Sequence, residues 1–383
     1  MFDPQSILVQ GADLANIGDP VPRDWKHRNA CLECSLHQLS PYIGKLQAGI
    51  ARELVTRFST RGDLVLDPFA GSGTVPLEAV LHDRNVFASD LSPYARVLTV
   101  GKIRAPQCLF QALDEFEVAF DESKRLPEPD LRSVPQWVRS FFHPKTLKET
   151  INFSIVCRRT QREFLLACLL GVLHHQRPGF LSFPSSHLVP YLRDKKFPRD
   201  HFSELYTYRA LRPRLVAKLE RTFRRLSEEP RGRLLDFQER SIKQAQFPKR
   251  IDAIITSPPY MNALDYGRDN RLRLWFIDPQ TDWQRQEKPT ARRTAFVEAI
   301  RALATVAETR LKQSGYCVLV VGEETRRKGT KHPSQEVMKV FVEAARSLKL
   351  ADVFTDQIPD VRRSRRECHG VRSEHILIFK KSK

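Results

Sequence analysis

Missing from the opening stretch MFDPQSILVQGADLANIGDP are the basic, apolar and small-residue blocks of a secretory leader. The apolar run FLLACLLGVL, Phe164 to Leu173, is too short to span a bilayer, which takes about 20 such residues, and reads as a buried helix. No membrane partner is expected. The seven cysteines, at positions 31, 34, 108, 157, 168, 317 and 368, form no disulfide ladder, so a reducing cytoplasm is the expected setting. There is no internal repeat and no low-complexity tract. Acidic charge is in deficit: 45 Asp and Glu face 63 Lys and Arg across 383 residues, a formal net charge of +18. Such an excess favours a polyanionic partner and says nothing of fold. It is concentrated between Leu131 and Leu235, where 21 Lys and Arg stand against 8 Asp and Glu.

A chain of this length that is 41% hydrophobic has enough apolar residues for one large domain or two modest ones. Short β-branched runs alternate with helical patterns near the start: DLVLD (63–67), TVPLEAVLHDR (74–84) and NVFASD (85–90) predict a strand, helix, strand unit of a parallel sheet. The texture returns in RIDAIITS (250–257), YCVLVVG (316–322) and EHILIFKK (374–381), separated by helical patterns at 295–312 and 334–349. From about 106 to 233 the composition changes to prolines, aromatics and clustered arginines, with the best helical patterns at 160–175 and 211–229. The expected fold class is α/β: a Rossmann-like sheet flanked by helices, interrupted by a mostly helical, basic insertion.

VLDPFAGSGTVPLEA (65–79) puts Asp67 at a strand end, then a turn with Gly71 and Gly73, then a helix. Glycines there allow close backbone approach to a ligand, and ligands of open α/β sheets sit beyond the strand ends. Asp90 ends the next strand, at the distance where a carboxylate commonly holds a ribose diol. A third glycine is absent, which argues against pyrophosphate, and Asp67 would repel a phosphate. It suits an ammonium or sulfonium instead. S-adenosylmethionine carries both, together with a ribose for Asp90. Taken alone, the Gly-x-Gly is equally a tight turn; the full string with Asp90 favours the cofactor.

DPFAGSGT, Asp67 to Thr74, resembles the S-adenosylmethionine-binding motif of the DNA amino-methyltransferases, and HQLSPYIGKLQAGIARELV (37–55) is similar to the segment that precedes it there. The resemblance runs through SDLSPYA to about residue 105. It implies a cofactor site of Tyr42, Gly44, Lys45, Asp67, Pro68, Phe69, Ala70, Gly71, Ser72, Gly73, Thr74, Asp90 and Leu91, with Tyr42, Gly44 and Lys45 at the methionine end. FQERSIKQ (237–244) occupies the place of an adenine-ring contact, with Glu239 where the family usually has Asp.

TSPPY, Thr256 to Tyr260, resembles the catalytic motif of the same family. An exocyclic amine on cytosine or adenine is a weak nucleophile, because its lone pair is delocalised into the ring. Acceptors aimed at the amino hydrogens favour a pyramidal nitrogen. The resemblance gives that task to the Ser257 hydroxyl and the Pro258 carbonyl, with Pro258 and Pro259 fixing the corner and Tyr260 stacking on a base rotated out of the duplex. Cytosine C5 methylation in that family needs a cysteine after a proline, and no cysteine here follows one.

The Asp265 and Tyr266 pair continues the family pattern and is expected to line the base pocket; Arg268, Arg271 and Arg273 are candidates for phosphate contact or for a solvated helix face. The motif order, cofactor then insertion then SPPY, implies residues 1–105 as N-terminal segment and cofactor half, 106–235 as target-recognition region and 236–383 as catalytic half. LSFPSSHLVPYLRDKKFPRD (181–200) is the candidate DNA-contacting loop, with Lys195, Lys196 and Arg199 on phosphates. The basic run at 360–373 is either further phosphate grip or a solvated loop. His27, Cys31, Cys34 and His37 have only loosely zinc-like spacing, and no metal is expected.

The resemblance therefore implies a cytoplasmic enzyme transferring methyl from S-adenosylmethionine to an exocyclic amine in double-stranded DNA. A restriction-modification or defence system, with a cognate endonuclease acting separately, is the implied context. Ser in the first catalytic position points to cytosine N4, whereas the motif order is commoner among adenine N6 enzymes. An RNA guanine-N2 methyltransferase and a catalytically idle nucleic-acid-binding subunit are the alternatives.

Overall fold

The computed structural model describes residues 18–26, 33–174, 180–183, 190–225, 232–259, 266–281, 293–324, 333–358 and 371–382. Eight strands form one mixed sheet: β1 (Asp19–Pro20), β2 (Leu64–Asp67), β3 (Asn85–Asp90), β4 (Leu234–Glu239), β5 (Ile251–Thr256), β6 (Leu311–Glu324), β7 (Leu348–Gln357) and β8 (Val371–Lys381). Their order is β1-β7-β8-β6-β5-β2-β3-β4. From β6 through β5, β2 and β3 to β4 all pairings are parallel, whereas β8 runs antiparallel to both β6 and β7. The expected α/β sheet is present.

The central strands are apolar on both sides, as a strand covered by helices on two faces must be. Val65, Ala253, Ile255, Val318 and Val320 point into a core shared with the Ala48–Phe58 and Pro93–Ile103 helices. Leu66, Ile254, Leu319 and Val321 point the other way, against the Arg293–Arg310 and Pro333–Ala344 helices. Successive residues take opposite faces because the strand period is two. Chain order reverses between β2 and β5, since β3 and β4 lie to one side and β6 to the other. At such a switch point the loops diverge and leave a crevice beyond the carboxyl ends of the strands.

The insertion contributes the helices Leu109–Lys124, Gln136–Arg139, Pro144–Arg159, Glu163–Leu173, Pro190–Lys196 and Leu211–Phe223. Its apolar residues, among them Phe116, Phe153, Leu169 and Leu219, belong to the same core as Val65 and Val320 of the sheet. It is built onto one face rather than set apart. The Glu163–Leu173 helix is buried along its length, as its apolar run predicts. The final two residues of the expected insertion, Leu234 and Leu235, already belong to β4, and the helix expected over 334–349 stops at Ala344 because β7 begins at Leu348. β4 has only half-buried and exposed residues and no long apolar run, as an outermost strand can.

Close approach of the insertion depends on a small residue. A Cβ at Gly171 would lie 2.2 Å from the Leu39 carbonyl oxygen. Gly171→Ala is expected to destabilise the protein by about 1–3 kcal/mol, the usual cost of overpacking, read as a lowered urea midpoint with an unchanged slope.

Candidate functional site

The carboxyl ends of β2, β3 and β5 and the loop after β4 surround a crevice of about 660 Å³. Asp67 ends β2 and is 2% exposed. Its Oδ1 accepts the Thr256 hydroxyl at 2.6 Å and the Phe69 amide at 3.2 Å. Burial pushes its carboxyl up to about 7, aided by the nearby Asp90 and opposed by those two hydrogen bonds. Asp90 ends β3, where one carboxylate oxygen accepts the Gly71 amide at 2.8 Å and the other the Ser92 amide at 2.9 Å. Burial raises this group too. Both aspartates line the crevice, in the places expected of them.

Between them runs the turn of residues 68–73. Gly71 has φ +50° and Gly73 φ +71°, a region costly for residues with a Cβ. A Cβ on Gly73 would also meet Thr99 Oγ1 at 2.6 Å, so the Pro93–Ile103 helix presses directly on the turn. The same helix supplies Lys102, 1% exposed, whose ammonium donates to the Ser72 carbonyl. Burial and the charge of Lys45 hold this lysine well below its ordinary range.

The wall opposite the turn is the segment expected from the resemblance. Tyr42, Gly44, Lys45 and Leu46 line the crevice, Gly44 with φ +78°. Tyr42 stacks on Tyr94 with ring centroids 5.8 Å apart, and the Tyr94 hydroxyl donates to the Pro41 carbonyl at 2.7 Å. Lys45 donates to the His37 carbonyl at 2.7 Å, and burial lowers its pKa. Pro68, Phe69, Ala70, Gly71, Ser72, Thr74 and Leu91 also line the crevice. Gly73 shapes the turn without lining it. Glu239 ends β4 paired with Asp90, and the residues after it, Arg240 to Lys243, form the crevice side.

Ser257 and Pro259 line the same crevice. The Ser257 hydroxyl donates to the Val320 carbonyl at 3.1 Å. With its proton committed to β6, the Ser257 oxygen retains lone pairs that could accept a hydrogen bond. Pro258 is buried beside it. Tyr260 and Asp265 lie outside the described residues; Tyr266 opens the short Tyr266–Asp269 helix.

The basic candidates divide. Lys195, Lys196 and Arg199 are exposed on the insertion, away from the crevice lining, with Arg199 stacked 4.8 Å over the Tyr206 ring. Arg268 is exposed, and Arg271 lies 4.8 Å over Trp137. Arg273 cannot serve phosphate: it is 8% exposed and donates to the Leu170 and His174 carbonyls at 3.2 Å. Of the loosely zinc-like set, His27 and Cys31 lie outside the described residues, while His37 is buried against Glu78 at 2.6 Å. No group of three potential metal ligands occurs among the described residues. Among those residues no helix is long and apolar enough to cross a membrane.

Lys102 carries no motif that would have marked it, and the motifs containing Thr256 and Tyr94 do not reveal the contacts those residues make. Each acts through a contact distant in sequence. From the Arg293–Arg310 helix, Ala295, Phe296, Glu298, Ala299 and Ile300 close the crevice, and only the helical period of that segment was visible in advance.

The site fits a group bearing a cation and a diol: a buried carboxylate suited to the cation, a second suited to hydroxyls, and a glycine turn whose positive φ angles shape the wall between them. Residues 34–99 match the family described as DNA methylase (N6_N4_Mtase), a span containing Tyr42, the glycine turn and Asp90. No curated protein matches the chain. Among solved structures, TrmN from Thermus thermophilus is similar at 12% identity and a TM-score of 0.33, over 90% of this chain and 52% of that one. This chain thus spans about half the length of that protein. The rRNA methyltransferase aviRa from Streptomyces viridochromogenes is 11% identical, TM-score 0.33, over 92% and 93% of the two chains. An rRNA methylase from Streptococcus thermophilus is 8% identical, TM-score 0.32, over 88% and 98%. The family match gives S-adenosylmethionine as the cofactor and methyl transfer as the class of reaction.

Because burial raises the Asp67 carboxyl to about 7, a cation site at Asp67 predicts that cofactor affinity falls as pH drops through 7 and the anion is lost. The free protein should change oppositely: a raised carboxyl pKa favours the folded state when protonated, so its stability declines as pH rises toward 7. Thr256→Val removes a bond that holds this pKa down and should move the binding midpoint to higher pH. Calorimetric titration across pH 6 to 8 checks both. A pH-independent affinity would remove Asp67 from the cation site.

Proposed function

We propose that the protein methylates the exocyclic N4 amine of cytosine in double-stranded DNA. The observation that carries this reading is the Ser257 hydroxyl, fixed as an acceptor by its bond to Val320 at the edge of the crevice that holds Asp67 and Asp90. In the proposed complex, Asp67 faces the ammonium end of the cofactor and Asp90 its ribose hydroxyls. Tyr42, Gly44 and Lys45 flank the methionine end, Leu91 and the Glu239 region the adenine. The bound cofactor supplies an electrophilic methyl group on a sulfonium.

Ser257 and the Pro258 carbonyl accept the two amino hydrogens and turn the nitrogen lone pair out of conjugation. The prolines hold these acceptors in place before the base arrives, so little reorganisation is needed. Tyr260, Asp265 and Tyr266 complete the base pocket. No covalent enzyme intermediate forms, in keeping with the cysteines: Cys157, Cys168 and Cys317 are buried, with thiols pushed up by burial.

Residues 106–235 serve as the target-recognition region, which accounts for the concentration of positive charge there. Lys195, Lys196 and Arg199 contact phosphates. Tyr206 beneath Arg199, and Tyr208 with Lys145 4.5 Å over its ring, give that surface aromatic as well as cationic character. A cytoplasmic restriction-modification or defence role, with a separate cognate endonuclease, fits this activity.

With labelled S-adenosylmethionine, the wild type is expected to label duplex DNA and leave tRNA unlabelled. Ser257→Ala should lower kcat by about 100-fold or more, as loss of one preorganised hydrogen-bonding group does, while calorimetric cofactor affinity is retained. Undiminished methylation by that variant would overturn the role of Ser257; label confined to RNA would overturn the substrate.

A further inference from the structure

The crevice wall carrying Tyr42 and Lys45 is held from behind by the insertion. Lys218, on the Leu211–Phe223 helix and 9% exposed, donates to the Gln38 carbonyl at 2.9 Å. Just beyond that helix, the Arg225 amide donates to the Ser35 hydroxyl at 3.0 Å and its carbonyl accepts the Ser35 amide at 3.2 Å. Gly171 of a second insertion helix packs on the Leu39 carbonyl. Two successive carbonyls, of His37 and Gln38, are thus taken by Lys45 from the crevice side and by Lys218 from the insertion side, and Gly171 packs closely on the next, that of Leu39.

Burying an ammonium is costly unless its hydrogen bonds are made, and burial lowers the pKa of Lys218. A surface lysine would have served solubility equally well. What this position adds is a direct bond from the insertion, 180 residues along the chain, to the backbone that shapes the crevice wall.

We infer that Lys218 is a positioning residue that couples the insertion to the cofactor crevice: cofactor binding orders the Leu211–Phe223 helix, and whatever orders that helix tightens cofactor binding. Reciprocity is required, because a coupling free energy between two sites acts equally in both directions. This rests on the crevice being the S-adenosylmethionine site. It makes the target-recognition surface a regulator of cofactor affinity, through a route of three hydrogen-bonded segments rather than by distant conformational change.

The test combines hydrogen exchange and calorimetry on the full chain, with S-adenosylmethionine as probe, for wild type, Lys218→Met, Lys218→Arg and Ser35→Ala. In the wild type, cofactor should slow exchange in two places, the turn at residues 68–73 and the helix Leu211–Phe223. Lys218→Met should bind cofactor about fivefold or more weakly, within the usual range of coupling energies, and should lose helix protection while the turn stays protected. Lys218→Arg, which keeps the donor, should recover part of both. If Lys218→Met does not fold, the milder Ser35→Ala carries the same two readouts. Protection of the turn without the helix in the wild type overturns the coupling alone. So does a folded Lys218→Met, or failing that Ser35→Ala, with wild-type affinity and wild-type helix protection. Absence of cofactor binding to the wild type overturns the crevice reading and the coupling together.

Discussion

The hydrogen bond from Thr256 to Asp67 joins the ends of two strands that meet only because chain order reverses between them. One strand delivers the glycine turn and the other the Ser257 corner. Fully buried, this bond fixes their relative height to within the tolerance of one hydroxyl and one carboxylate, and methyl transfer needs such tolerance because donor and acceptor atoms must stand in line at near contact. The parallel register of β2 and β5 sets the strands side by side; the bond sets their tips. Everything else around the crevice is arranged to keep the tips where they are. Helix Pro93–Ile103 bears on the turn through Thr99 and Lys102, and β6 holds Ser257 through the Val320 carbonyl.

Charge is distributed to match. The chain is strongly basic, yet the crevice is floored by two buried carboxylates whose pKa values are raised by burial. With no cationic side chain paired to Asp67 among the described residues, the cost of holding a carboxylate there would be relieved by a cationic ligand. Positive charge is concentrated on the insertion, where Lys196 and Arg199 sit over Phe197 and Tyr206 on the surface. In the proposed complex, a cationic cofactor and a polyanionic partner would meet different parts of the protein. Burial of the insertion's apolar residues in the sheet's own core keeps those parts in fixed relation.

Much of this was legible in the chain itself. Asp67, Gly71, Gly73 and Asp90 were readable because strand ends and glycine turns leave local signatures, and β2, β3, β5, β6 and β8 because buried strands are continuously apolar. β4, an edge strand, and β7, whose buried residues are interrupted by exposed ones, were not, since neither has such a run. Lys102 and Lys218 were invisible for another reason: each acts on a residue far away in sequence, and nothing in its own neighbourhood differs from an ordinary helix; Thr256 and Tyr94 lie in recognisable motifs, but their distant partners Asp67 and Pro41 could not be read from them. Arg273 shows the converse. Its neighbours made it look like a phosphate ligand, while tertiary packing turned it inward to cap the carbonyls of Leu170 and His174.

The identity of the methylated nucleoside is the most direct test of the Ser257 corner as an amine-methylating site. Duplex DNA incubated with the protein and labelled S-adenosylmethionine is hydrolysed and its nucleosides are separated by mass spectrometry. N4-methylcytosine is the expected product. N6-methyladenine would contradict the choice of base, and 5-methylcytosine would contradict the amine chemistry itself.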